Sequence, residues 1–127
     1  GSVILTSGEC GSSSVISEAK LNREKLRAKN TENLTNIVND TAIDKASKTE
    51  AINELAKIAE YSEKEAAIEL LLEAKGFNDV VASVAEDSVD IVINQQTLEN
   101  SQKAQIEDIA KRKTGVTSDK ITINVIK

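Results

Sequence analysis

Three glutamates in the middle of the chain come closest to catalytic chemistry in type and spacing. Glu65, Glu69 and Glu73 follow one another at intervals of four, which places them on one face of a helix. A pair of carboxylates is the minimum for glycoside hydrolysis, but the pair must flank a sugar and have separated pKa values. With one Tyr, one Phe and no Trp, the chain offers few aromatic platforms for a sugar. We therefore expect these glutamates to form a solvated helix face.

Other kinds of chemistry lack the residues that they need. The 127-residue chain has no His, which removes the usual general base at neutral pH, the Ser-His and Cys-His pairs and the commonest zinc ligand. Its five glycines form no phosphate-binding loop, and the single Cys10 cannot form a disulfide within the chain. The sequence predicts a protein that is not an enzyme, with no catalytic residues and no cofactor.

Acidic residues also crowd one predicted turn. Glu86, Asp87 and Asp90 carry oxygen ligands that suit a hard cation, yet the chain contains no twelve-residue calcium loop with its glycine and terminal glutamate. Acidic residues are ordinary at turns. We therefore predict no metal site here.

Charge opposes nucleic-acid binding and is distributed unevenly. The net charge is −5, whereas residues 20–29 alone carry +4, which leaves −9 for the rest. A negative chain disfavours the phosphate backbone. The later order of helices and strands also resembles RNA-binding KH domains, but the GXXG loop of those domains is missing. The basic segment fits either a solvated helix surface or the docking of an acidic partner or lipid headgroups.

The first part of the chain is predicted to be a leader followed by helices. Residues 1–16 are rich in Gly and Ser and predict a flexible leader, in which Gly1 and Ser2 resemble the remnant of a cleaved tag, so we expect upstream sequence to be missing. Residues 17–61 predict a charged helical extension. Residues 44–75 fit one long helix or two short helices, and Gly76 predicts its end through a left-handed turn.

After that turn the hydrophobic period changes from 3.6 to 2. Short alternating segments predict strands over residues 80–84, 88–94 and 121–125, and a helix is predicted over residues 101–114. The predicted fold class is α+β: the helical extension is followed by a two-layer helix-strand-strand-helix-strand domain over residues 62–127, with a three-stranded sheet. One face of the sheet is apolar and the other is mostly polar.

The chain resembles a known family in four places. Residues 18–25, residues 64–77 (KEAAIELLLEAKGF), residues 106–109 and residues 114–116 together resemble the stage III sporulation protein AH family of spore-forming bacteria. The resemblance covers residues 17–127. It implies a ring-building-motif-like fold of the kind found in the basal bodies of type III secretion systems.

The resemblance also implies a place and a partner. Members of the family are ectodomains tethered by an N-terminal transmembrane helix in the mother-cell membrane, and they face the space around the forespore. The implied partner is stage II sporulation protein Q, whose ectodomain is LytM-like. The two proteins would form an intercellular channel and engulfment complex. The resemblance also implies a homo-oligomeric ring of this chain, and contact with the membrane only through a helix outside this sequence.

A three-stranded sheet leaves two edges with unpaired backbone groups, where a partner can bind. We predict that strand 88–94 is such an edge, with Asp90, Val92 and Asn94 as contacts, and that Thr122 and Asn124 on the last strand are the second choice. The alternative is that these five side chains only face solvent.

A second functional hypothesis uses the helices instead of the sheet. On that hypothesis the chain is a soluble helical adaptor, unrelated to sporulation, that binds proteins through residues 17–75. It predicts that residues 62–127 alone fold and lose all binding.

Overall fold

The computed structural model describes the backbone of residues 8–126 and the side-chain surroundings of residues 15–126. Along the chain the elements are α1 (Gly8–Asn39), α2 (Lys45–Ala74), β1 (Val80–Val84), β2 (Val89–Ile93), α3 (Asn100–Thr114), a short 3-10 turn (Ser118–Lys120) and β3 (Ile121–Val125). The predicted α+β fold class, with its helix-strand-strand-helix-strand order and three-stranded sheet, is confirmed.

The first helix begins earlier than the sequence predicts. α1 includes Gly8, so residues 8–16 of the predicted leader have helical backbone, whereas residues 1–7 of that leader lie outside the described residues. Extending an existing helix adds one hydrogen bond for each residue that is fixed, so poor helix formers such as Gly and Ser can join a helix that stronger formers have nucleated. Composition alone therefore placed this boundary too late.

The two alternatives for residues 44–75 resolve in favour of one continuous helix. α2 passes through Tyr61 without a break, and Asp44 caps its N-terminus by accepting a hydrogen bond from the Ser47 amide at 3.2 Å. At the other end the Phe77 amide donates to the Leu72 carbonyl at 3.1 Å, and the Gly76 amide donates to the Glu73 carbonyl at 3.0 Å. These two bonds are the Schellman motif that the sequence predicts.

Gly76 gives a direct test of that helix end. Its φ is +100°, a region that side chains with a Cβ rarely occupy. We expect Gly76→Ala to lower the free energy of unfolding by about 1–2 kcal/mol, measured by urea denaturation followed by circular dichroism. Gly76→Asn should lose less, because Asn tolerates the left-handed region better. Equal stability of the wild type and Gly76→Ala would contradict the assignment.

The sheet is covered on one face by α2 and α3. β1 pairs antiparallel with β2, and β2 pairs parallel with β3, so the spatial order is β1-β2-β3. The hydrophobic core is aliphatic apart from Phe77 and combines alternate residues of the strands with the inner faces of both helices: Ile68, Leu72, Phe77, Val80, Ala82, Val84, Val89, Ile91, Ile93, Ile106, Ile109, Ala110 and Ile121.

The prediction that strand 88–94 is an edge strand is wrong. β2 is the central strand, because α3 carries the chain across the face of the sheet and returns it parallel to β2 on the side away from β1. A parallel neighbour needs such a crossover connection. The alternation of residues 89–93 shows which face is buried and contains no information on how many neighbours the strand has.

Candidate partner-binding edge of the sheet

The outer edge of β1 is closed by side chains from the two long helices. The Val84 amide donates a hydrogen bond to Oε2 of Glu65 at 2.7 Å, and the Ala82 amide donates to Oε2 of Glu69 at 2.9 Å. Nη1 of Arg23 donates to the Ala82 carbonyl at 2.6 Å. Because these backbone groups already have partners, another strand cannot pair here without displacing the side chains. We call Arg23, Arg27, Glu65 and Glu69 the edge clamp.

The clamp pairs the carboxylates of Glu65 and Glu69 with arginines from α1. Glu65 is only 1% exposed, and Arg27 contacts it through two parallel bonds, Nη1 to Oε1 at 2.5 Å and Nη2 to Oε2 at 2.6 Å. Arg23 lies 2.9 Å from Oε2 of Glu69. Such a fork-shaped contact is the strongest arrangement of an arginine and a carboxylate. The clamp therefore fastens α1 to both α2 and the sheet.

The pKa of Arg23 reflects this position. Partial burial of the guanidinium lowers its pKa, but the hydrogen bond to Glu69 and the charges of Glu69 and Glu65 outweigh that effect and raise the pKa above the ordinary value of arginine. Arg23 is therefore held in its cationic form by the two glutamates.

The prediction of a solvated glutamate face is wrong for Glu65 and Glu69. Only Glu73 is exposed, and the other two turn toward α1 and β1. A signal was present in the sequence: two arginines four residues apart in one helix match two glutamates four residues apart in the next. This match accounts for part of the basic segment 20–29 as well, because its arginines pair within the chain.

The outer edge of β3 is open. The Ile126 amide donates to the Ile93 carbonyl at 3.0 Å, so even-numbered residues direct their backbone groups toward β2. By alternation, the amides and carbonyls of Ile123 and Val125 point outward, and within residues 8–126 no hydrogen bond to them is found. Val125 is 38% exposed. This edge is therefore available to an added strand.

The predicted contact residues are only partly gathered at this edge. Asp90 is opposite Thr122 and Val92 is opposite Asn124, so these four side chains lie together on the polar face of β2 and β3. Asp90, Thr122 and Asn124 are exposed, and Val92 is partly buried. The role of these four in partner binding stays a prediction.

Asn94 lies apart from that group. Its Nδ2 donates to Oδ2 of Asp79 at 3.1 Å, and its backbone amide donates to the Asp79 carbonyl at 3.1 Å. Asp79 has a φ of +51°, so these bonds hold a left-handed residue at the start of β1. Asn94 thus supports a turn, which alternation along the strand did not predict.

Comparison with known proteins agrees with the architecture. The sequence profile described as SpoIIIAH-like protein matches residues 5–123. The chain belongs to this family. Membership confirms the resemblance to the stage III sporulation protein AH family that residues 17–127 carry, and it places the chain among sporulation proteins. No curated protein matches the sequence significantly.

A solved structure shares the fold. It is described as the pore-forming complex of SpoIIQ and SpoIIIAH, and the similar chain in it has a TM-score of 0.76 and 20% sequence identity. The match covers 87% of this chain and 96% of that chain. At this identity the similarity shows that the two chains have the same fold.

Two further properties concern the described part of the chain. None of the helices within residues 8–126 combines the length and the apolar composition that crossing a membrane requires. Among residues 15–126, no group of three or more Cys, Asp and Glu side chains lies close enough together to hold a metal ion.

Proposed function

We propose that this chain is the non-enzymatic ectodomain of a membrane-tethered sporulation protein, and that it binds a partner ectodomain by strand addition at β3. The observation that carries the proposal is the difference between the two edges. The edge clamp occupies the outward amides of Ala82 and Val84 and the carbonyl of Ala82, whereas the outward groups of Ile123 and Val125 are free among the described residues. Strand addition uses such free groups for affinity.

The partner that we propose is a SpoIIQ-type protein with a LytM-like ectodomain. Family membership and the shared fold with a chain of the SpoIIQ–SpoIIIAH complex support this choice. The two ectodomains would meet between mother cell and forespore, with this chain tethered in the mother-cell membrane by an upstream helix, and would contribute to a channel. The homo-oligomeric ring stays a prediction.

A single open edge would also make the complex specific. Strands of a partner can pair at only one place, so the register and orientation of the two ectodomains follow from β3 alone. Exposed side chains of β3 would lie beside the added strand and would select the partner. Thr122 and Asn124 are two such side chains. Asp90 lies one strand away and would contact only long side chains.

The bonding of the carboxylates supports the proposal that the protein is not an enzyme. Glu65 and Glu69, the strongest candidates for acid-base chemistry, accept hydrogen bonds from backbone amides and arginines instead of facing a cleft. Carboxylates whose oxygens already accept these hydrogen bonds cannot contact a substrate to transfer a proton. This supports a structural role for them.

Binding to a purified SpoIIQ ectodomain from the same bacterium tests the proposal. We expect co-elution in size-exclusion chromatography at tens of micromolar and a binding isotherm by calorimetry. Val125→Pro removes an outward amide and should weaken binding at least about tenfold while the chain stays folded.

A matched variant separates the edge from the helices. Lys25→Glu with Lys29→Glu reverses two exposed charges on α1. The dissociation constant should stay within about twofold, because exposed charges far from the binding edge contribute little to affinity. If this variant loses binding and Val125→Pro does not, the partner binds the helices and not the β3 edge, as a helical adaptor would. The absence of any complex at tens of micromolar would overturn the proposed partner.

A further inference from the structure

A notch at the far end of the helical hairpin has an apolar base. It lies where α1 turns into α2, and Leu34, Ile37, Ile43 and Ala51 contribute its aliphatic surface. The cavity volume is about 770 Å³. Ala51 is 3% exposed, and the three larger side chains are half-buried. We call this feature the tip notch. Its volume is enough for several aliphatic side chains of a ligand.

The tip notch is separate from the core of the protein. None of its aliphatic side chains belongs to the core cluster that joins the sheet, α2 and α3. Along α2, Tyr61 is the first of the partly buried hydrophobic side chains that pack against that cluster. At about 1.5 Å per residue, the start of α2 lies roughly 25 Å beyond Tyr61. Apolar surface in such a position does little for the sheet domain and is typical of a docking site.

The charged side chains that line the tip notch are all acidic. They are Asp44, Glu50 and Glu54, and all three are exposed. Glu50 has no ion pair within the part of the chain that the structure describes, and Glu54 has only a 3.8 Å contact with Lys57. Hydrogen bonds from Ser47 lower the pKa of Asp44, which keeps its carboxylate ionised. The rim therefore attracts cations and repels anions.

We propose that the tip notch binds a short amphipathic helix of another protein, in which aliphatic side chains are flanked by Lys or Arg. The apolar base accepts the aliphatic side chains, and the acidic rim pairs with the cations. The same rim repels anionic lipid headgroups. This site is additional to the β3 edge. It lies at the end of the α1–α2 hairpin that is remote from the sheet, so both sites can be occupied together.

Nuclear magnetic resonance titration of the full chain with two designed peptides tests the site. The first probe is a 14-residue amphipathic helix made only of Leu and Lys, and the second has Glu in place of every Lys. We expect the Leu/Lys peptide to shift the amide signals of Ile37, Ile43 and Ala51. The Leu/Glu peptide should bind at least about tenfold more weakly.

Matched charge reversals decide whether the notch or the overall charge is responsible. Glu50→Lys with Glu54→Lys should weaken binding of the Leu/Lys peptide about tenfold, whereas Glu63→Lys with Glu73→Lys, also exposed on α2, should change it less than about threefold. Equal loss in both variants, or shifts centred outside the notch, would overturn the proposal. Neither outcome affects the β3 test, because Val125 lies outside the notch.

Discussion

Arg27→Met is expected to lower the free energy of unfolding by about 3–5 kcal/mol. The substitution preserves much of the side-chain volume but leaves the Glu65 carboxylate, 1% exposed, without its bidentate partner. Arg23, whose Nη1 lies 3.5 Å from Oε1 of Glu65, offsets only part of that loss. Because the free energy of unfolding of such domains is only about 5–15 kcal/mol, the variant should be close to unfolding at room temperature. Urea denaturation followed at 222 nm measures the difference.

Two controls connect the loss to the buried charge. Lys25→Met, on the exposed side of the same helix, should change the free energy of unfolding by no more than about 0.5 kcal/mol. Adding Glu65→Gln to Arg27→Met should restore part of the stability, because the amide oxygen of Gln can still accept the bond from Val84 without an unpaired charge. If Arg27→Met costs no more than Lys25→Met, the edge clamp does not stabilise the fold.

Val92→Pro is expected to abolish cooperative folding. Val92 is opposite Val81 in the central strand, and proline there removes a ladder hydrogen bond and clashes with its neighbours, at a cost of about 3 kcal/mol or more. Thermal denaturation and proton chemical-shift dispersion measure the outcome. Most residues of the hydrophobic core belong to the strands, so we do not expect β2 to unfold while the rest of the domain stays folded.

The same substitution at the edge is the control. In Val125→Pro the lost amide points away from β2, so the chain should retain a cooperative transition within about 1.5 kcal/mol of the wild type. A folded Val92→Pro variant, or an unfolded Val125→Pro variant, would contradict the strand order β1-β2-β3.

Local patterns predicted the elements well, because each depends on residues close in sequence. The Schellman end at Gly76 and Phe77 follows from a glycine that can adopt positive φ beside an apolar residue. The strands follow from alternation, as in Val89, Ile91 and Ile93, all fully buried. The largest error in a boundary is the start of α1, because helix propagation extended this helix through weak helix formers.

The candidate site was predicted less well, because it depends on neighbours that are distant in sequence. Glu65 pairs with an arginine 38 residues away and also accepts a bond from a strand 19 residues away. A glutamate repeat on a helix has the same spacing whether solvent or another helix lies opposite, so burial could not be predicted from it. Thr122 and Asn124 were predicted only as the second choice of contacts, because the position of β3 at an edge also depends on contacts distant in sequence.

By itself the sequence determined that this protein lacks the residues for most catalysis, that it forms helices and alternating strands in a particular order, and that it has the features of its family. Only the tertiary structure decided which strand is central, which edge is closed and which is open. The physical reason is that the period of a strand specifies the face that is buried, whereas its neighbours are decided by the crossover of α3 and by the contacts of α1 with Glu65 and Glu69.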